Sequence, residues 1–267
     1  MAEDSRIASI ADASKPNAGR MYDFFLGGNH NFEVDRLAAQ EAIKNSPGLP
    51  KTARSIRWFL GEAVRRLLAD GFTQFIDFAS GLPTVDHIHQ IAPKKTKVVY
   101  SDIDPVTVAY GQEIIKDDPN VRYIACNIAT PEHLLKSPEI LKFLDKSRKT
   151  AFGMNGVAWF IKDEELGYSL RTIYDWADKG SRLFISDYYY DPSTVTEAMK
   201  RGTDQYAKIG QPYFLRSEET ILKLCHPWKL REPGFKPLED WLGTQAGVGE
   251  TEKRNLGGFC IGAILEK

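Results

Sequence analysis

Between residues 53 and 187, short apolar runs alternate with helix-length amphipathic segments, and this rhythm limits the fold more than any other feature of the chain. Residues 53–70 are predicted as a helix. Ile56, Phe59, Leu60, Ala63, Val64, Leu67 and Leu68 recur at spacings of three and four and form one apolar stripe. Arg54, Arg57, Glu62, Arg65 and Arg66 are expected on the opposite, solvated face. Strands are then predicted at Phe75–Phe78, Lys97–Tyr100, Val121–Cys126, Ala151–Asn155 and Leu183–Ile185. Helices are predicted between them at Thr84–Ala92, Pro105–Lys116, Pro131–Leu144 and Asp163–Asp178. Short strands alternating with helices imply an α/β fold whose mostly parallel sheet is covered on both faces. The tail breaks the rhythm. A helix at Ser217–Leu224 is followed by candidate strands at Trp228–Pro233 and Phe259–Leu265 without a long helix between them. That pattern predicts an antiparallel edge.

Composition narrows the class without specifying chemistry. Lys and Arg number 35 and Asp and Glu 36, so no basic field exists to gather nucleic acid. The three cysteines, Cys126, Cys225 and Cys260, lie far apart and make neither a CxxC nor a disulfide framework, which predicts a reducing, cytoplasmic setting. The start, MAEDSRIASI, lacks the apolar core of an export signal. The longest uncharged apolar stretch, Ala151–Ile161, falls far below the roughly 20 residues of a spanning helix, so no membrane partner is expected. Residues 1–16 read as a loose arm. Residues 17–52, aromatic and glycine-containing, read as a separate helical segment, and residues 53–267 as the sheet domain.

In open α/β sheets, ligands bind beyond the carboxyl ends of the strands, where the strand order reverses. The first strand ends in Asp77-Phe78-Ala79-Ser80-Gly81, whose small residues let a ligand approach the backbone. The second ends at Asp102, an acid placed to accept two ribose hydroxyls, followed by Ile103, an apolar cover for an adenine face. Asn127 after the third strand offers an amide to an adenine edge, and Asn155-Gly156-Val157 after the fourth again permits close approach. Each residue also has a plainer reading: Asp102 and Asp104 as caps of the helix at Pro105, Ala79–Gly81 as a tight turn, Asn127 as a turn residue. Together the four strand ends favour a ligand containing adenosine. A pyrophosphate would be repelled by Asp77, and no GxGxxG is present, so NAD fits poorly. An amino-acid tail fits better, because its ammonium can approach a carboxylate. S-adenosylmethionine (SAM) has such a tail.

These motifs resemble class I SAM-dependent methyltransferases, and more narrowly the actinobacterial-type S-adenosyl methyltransferase family once known as a domain of unknown function. Gly19-Arg20-Met21-Tyr22-Asp23-Phe24-Phe25-Leu26-Gly27-Gly28, with Asn31-Phe32 and Asp35-Arg36, is similar to that family's N-terminal signature. Phe75–Thr84, His89 and Tyr100–Val106 are similar to its strand-end motifs. The resemblance runs from about Pro16 to the C-terminus and weakens after Asp187.

The resemblance implies a Rossmann-like methyltransferase with a seven-stranded sheet and an antiparallel C-terminal edge. It implies SAM as donor and S-adenosylhomocysteine (SAH) as product. Asp77, Ala79, Ser80 and Gly81 would hold the methionine part, Asp102 the ribose, and Ile103 the adenine face. Asn127 and Ile128 would meet the adenine edge, and Asn155, Gly156 and Val157 would line the pocket near the sulfonium. Arg20, Tyr22, Asp23, Gly27 and Gly28 would form a lid, with Arg20 paired to the SAM carboxylate.

Three departures stand out: Ala79 in place of the usual Gly, Asn127 in place of Asp, and Trp159 where relatives tend to carry His. For catalysis the candidates are His30, read either as facing the acceptor or as a solvated loop histidine, and Tyr188 with Tyr189 and Tyr190, read either as acceptor lining or as an edge cluster. No triad, Walker loop, HExxH or zinc spacing is present, so no metal is expected. The expected function is methyl transfer to a small-molecule acceptor. A SAM-binding protein without transfer, a non-methylating SAM enzyme and an NAD(P)-dependent reductase are the alternatives. Oligomeric state has no signature in the sequence.

Overall fold

The computed structural model describes residues 14–145, 147–189, 197–208, 210–241 and 259–267. Three helices precede the sheet: α1 (Ala18–Phe25), α2 (Glu33–Asn45) and α3 (Leu49–Ala69). Asn17 caps α1 by accepting from the Arg20 amide, and Pro50 suits the first turn of α3. The predicted stripe of α3 is buried, with Phe59, Ala63, Val64 and Leu67 fully so. Each large buried side chain contributes on the order of 1.5–3 kcal/mol, so a charged residue at Leu67 would break the contact with the sheet. Because α3 begins at Leu49, the expected boundary at 52/53 falls inside a helix, and the N-terminal segment and the sheet domain share it.

The sheet holds β1 (Gln74–Asp77), β2 (Lys97–Asp102), β3 (Val121–Ala125), β4 (Ala151–Met154) and β5 (Arg182–Tyr189), all parallel, in the order β3-β2-β1-β4-β5. The order reverses between β1 and β4. Asp77 stands in register with Tyr100 of β2 and Gly153 of β4, so the carboxyl ends of three strands meet at that reversal. Between the strands run α4 (Ile88–Ile91), α5 (Pro105–Ile115), α6 (Glu132–Leu135), α7 (Pro138–Phe143) and α8 (Asp163–Trp176). Two apolar clusters fill the two faces of the sheet: one around Ile76, Phe152 and Ile185 under α8, the other around Phe75, Tyr100 and Phe184 under α3.

Three expected elements differ. Only Ile88–Ile91 of the predicted Thr84–Ala92 helix forms, because Asp86 takes a left-handed φ of 49° and His87 caps the short helix that starts at Ile88. The predicted Pro131–Leu144 helix splits at Ser137, whose extended backbone is the conformation a succeeding proline favours. The tail contributes α9 (Glu197–Lys208), α10 (Glu218–Cys225), β6 (Lys229–Leu230), β7 (Lys236–Pro237), α11 (Leu238–Trp241) and β8 (Phe259–Glu266). β8 runs antiparallel to β5 as expected. The Trp228–Pro233 stretch pairs only at Lys229–Leu230, since a turn closes from the Gly234 amide to the Arg231 carbonyl. Lys236–Pro237 then pairs with β8 separately, giving eight strands among the described residues where seven were expected. Residues 1–13 of the expected arm, and Tyr190, lie outside the described residues. Among the described residues no helix is long and apolar enough to cross a membrane.

Candidate functional site

Beyond the reversal point a cleft encloses about 1170 Å³, open solvent at its mouth included. The loops after β1, β2 and β4 form its floor, and α1 and α3 form its roof.

The floor is built as the strand ends suggest. Asp77, Ala79, Ser80, Gly81, Asp102, Ile103, Asn155, Gly156 and Val157 all line the cleft. Asp77 is 2% exposed, and burial pushes its carboxyl up to about 7. It fits only because Gly153 beside it lacks a side chain. Ser80 Oγ donates to the Asp77 carbonyl and accepts from the Ser101 amide, tying the first loop to β2. His87, fully buried, accepts the Ile88 amide at Nδ1, so Nε2 carries the proton and donates to the Ser80 carbonyl. Burial holds this imidazole neutral. Ala79 carries the turn at φ 50°, a conformation in which its Cβ is strained.

Asp102 accepts from the Gly81 and Asp104 amides, one at each oxygen, which leaves lone pairs on both. Burial raises it to about 6. Ile103 next to it is 65% exposed. Asp104 caps α5, and both Asp102 and Asp104 line the cleft. Asn155 is fixed by Ile56 and Ser186, and Ser186 in turn accepts the Gly156 amide.

The roof corrects the sequence reading most. Arg57 was expected on the solvated face of its helix, yet it is 5% exposed and lines the cleft. Its Nε and Nη1 are buried without a hydrogen-bond partner. The guanidinium lies 5.5 Å from the centroid of the Tyr22 ring. Its positive charge lowers Asp77 against the larger effect of burial. The missed signal is helical phase: Arg57 sits four residues after Ala53 and three before Leu60, both on the buried side of the helix.

Arg20, expected at the SAM carboxylate, is committed elsewhere. Its Nε donates to Asp35 at 2.6 Å and its Nη2 to the Lys15 carbonyl, with Asp104 3.9 Å from Nη1. Asp35 also accepts the Asn17 and Phe32 amides. Asp23 accepts from the His30 amide, Asn31 Nδ2 and Thr84 Oγ1, which fastens α1 to the loop after β1. Gly27 ends α1 at φ 80°, and a Cβ at Gly28 would strike the Asp23 carboxylate at 2.2 Å. Arg36 holds the Asn31 carbonyl and amide oxygen. The signature's charged residues therefore bond one another, while Gly19, Tyr22 and Phe25 of the same stretch line the cleft.

Asn127 and Ile128 are not among the lining residues either. β3 is the outer strand, Asn127 Oδ1 accepts the Ala129 amide in its own turn, and Ile128 is buried in the core. His30 packs edge-on to Tyr110, 5.8 Å between centroids, away from the cleft.

Tyr188 does line the cleft, in a cluster with Trp159, Phe160, Tyr206 and Tyr213. Its ring lies 4.8 Å from Trp159 and 5.7 Å from Tyr213. Burial pushes Tyr188, Tyr206 and Tyr213 up, so these phenols stay neutral. The buried Arg216–Asp187 pair braces this end, with Arg216 also donating to the Ala158 carbonyl.

Comparison with known proteins gives a consistent result. A family model described as S-adenosyl methyltransferase matches residues 4–264. A protein from Thermobifida fusca YX, described as a candidate methyltransferase, superposes with TM-score 0.85 at 29% identity over 96% of both chains. A DUF574 family protein from Streptomyces avermitilis MA-4680 superposes at 0.84 with 25% identity, over 96% of this chain and 99% of that one. Magnesium protoporphyrin IX methyltransferase from Synechocystis PCC 6803, solved with bound SAH, shares the fold at 0.50 with 14% identity, over 92% and 91%. No curated protein matches the chain by sequence.

Proposed function

The chain belongs to the S-adenosyl methyltransferase family and is a SAM-dependent methyltransferase, and we propose that it methylates a small-molecule acceptor held in the same cleft, beneath α1 and α3. The observation that carries the donor half is the pairing of a buried, incompletely bonded guanidinium with a buried carboxyl in one cleft. An α-amino acid presents the complementary pair, its carboxylate toward Arg57 and its ammonium toward Asp77. Burial of either group alone is costly, and a zwitterion relieves both at once. Asp102 keeps lone pairs for two ribose hydroxyls, and the exposed Ile103 gains a cover from an adenine face.

The roof acts as a lid through Tyr22 of α1 and Arg57 of α3, while Arg20, Asp23, Gly27 and Gly28 hold its shape. Asn155, Gly156 and Val157 line the middle of the cleft. SAM supplies an already activated methyl group, so the residues here bind, orient and exclude water, leaving donor and acceptor roughly 3–3.5 Å apart. The acceptor is assigned to a small molecule because Trp159, Phe160, Tyr188, Tyr206 and Tyr213 line that end of the cleft and Arg57 is the one Lys or Arg among the described lining residues.

Calorimetric titration with SAH, using Asp102→Ala as the control, tests this reading. Binding to the parent that is lost in Asp102→Ala is expected. Equal binding to both would remove the ribose from this site, and absence of SAH binding to the parent would overturn the reading.

A further inference from the structure

Resting on the SAM reading above, we propose that the acceptor is a neutral amine carried on a flat apolar body, methylated at nitrogen in the chamber formed by Trp159, Phe160, Tyr188, Tyr206 and Tyr213.

The chamber lies at the β5 side of the cleft, across β1 and β4 from the Asp102 end. The full charges among the described lining residues are Arg57, Asp77, Asp102 and Asp104, all toward the donor. The three tyrosine rings pack together, Tyr206 lying 4.8 Å and Tyr188 5.7 Å from Tyr213 between centroids. Among the described residues two polar atoms are buried and unpartnered at this end, Gln211 Oε1 and Trp159 Nε1. The first accepts an N–H, which turns the nitrogen's lone pair away from it and fixes the amine's direction. The second donates to a heteroatom on the acceptor's body.

Two considerations select nitrogen. Transfer to an alcohol requires a base to take the hydroxyl proton, and no His or Lys lines the chamber among the described residues. A neutral amine needs none. Its lone pair forms the N–CH3 bond as the S–CH3 bond breaks, and the bonding pair stays on sulfur, which becomes the neutral thioether of SAH. The positive charge passes from sulfur to nitrogen, and an N–H proton leaves to water afterwards. The charge therefore ends inside the aromatic chamber, where ring faces attract a cation without repelling the incoming neutral base.

The test uses protein saturated with SAH and two probes of one shape, phenyltrimethylammonium and the neutral tert-butylbenzene, titrated calorimetrically. The cation is expected to bind roughly threefold to thirtyfold more tightly than the hydrocarbon. Tyr213→Leu and, separately, Tyr206→Leu are expected to shrink that preference while SAH binding persists, which shows that each variant is folded. Cation binding no tighter than the hydrocarbon, undetectable binding included, overturns the amine assignment. Failure of SAH itself to bind falls on the donor reading instead.

Discussion

A Cβ placed on Gly153 would lie 2.1 Å from Oδ1 of Asp77, so the glycine of β4 and the acid of β1 occupy one another's space across paired strands. Phe184 closes the other side, 2.5 Å from the same position. Gly153→Ala must therefore displace the carboxyl. The variant is expected to lose about 1–3 kcal/mol of stability, the usual range for overpacking. SAH affinity should fall with it, read by urea unfolding and calorimetry on the same preparation. Unchanged SAH affinity would show that Asp77 need not sit where it does.

Arg20 of α1 and Arg57 of α3 should fail in opposite ways. Arg20 is paired with fully buried Asp35, and Arg20→Ala leaves that carboxylate alone at an expected cost of about 3–5 kcal/mol. Arg57 has buried nitrogens without partners, so Arg57→Met should stay within about 1 kcal/mol of the parent, or above it. Thermal or urea unfolding separates the two cases.

The pH dependence is set by Asp77. Unfolded, it ionises near the ordinary carboxylate value, and folded it keeps its proton up to about 7. The native state therefore holds more protons between these values, and stability falls as pH rises from about 4 to 7. Asp102, raised to about 6, and Asp187, raised to about 7, act with the same sign. Asp77→Asn should lose less stability than the parent between pH 5 and 8. SAH binding has the opposite slope, because an ammonium is attracted by the ionised form. Affinity should rise from pH 6 to 8 in the parent and rise less in Asp77→Asn.

Ala79 holds a left-handed φ of 50°, which costs a side chain on the order of 1–2 kcal/mol. Ala79→Gly removes that cost and adds unfolded-state entropy of about 0.4–1 kcal/mol. A net gain of up to about 1 kcal/mol is expected in chemical denaturation. A loss of stability would mean that the methyl group packs better than its torsion suggests.

The alternation of strands and helices, the strand ends and the β1, β2 and β4 contributions to the cleft were legible because each depends on local pattern: an apolar run, a small-residue turn, an acid at its end. The roof was less so. The signature around Arg20 and Asp23 looks like ligand chemistry in one dimension, since charged residues and paired glycines are what a binding loop needs. Only folding shows that Asp23 and Asp35 consume those charges internally. Arg57 was hidden for the opposite reason: an arginine at the margin of an apolar stripe reads as solvated until α1 covers it. Asn127 has the residue type of an adenine contact, but β3 lies one strand beyond β2 and its side chain closes its own turn. The aromatic chamber gathers residues from the segment after β4, from β5 and from the α9 region, and no spacing in the sequence joins them.

The central claim is that Arg57 holds the amino-acid end of the donor. The direct measurement compares SAH with methylthioadenosine, which keeps the nucleoside and sulfur but lacks the amino-acid tail, on the parent and on Arg57→Met. A charge-assisted contact of about 1.5–3 kcal/mol predicts that the variant loses roughly tenfold to a hundredfold in SAH affinity while its affinity for methylthioadenosine stays the same. Parent-like SAH binding by Arg57→Met would contradict the account.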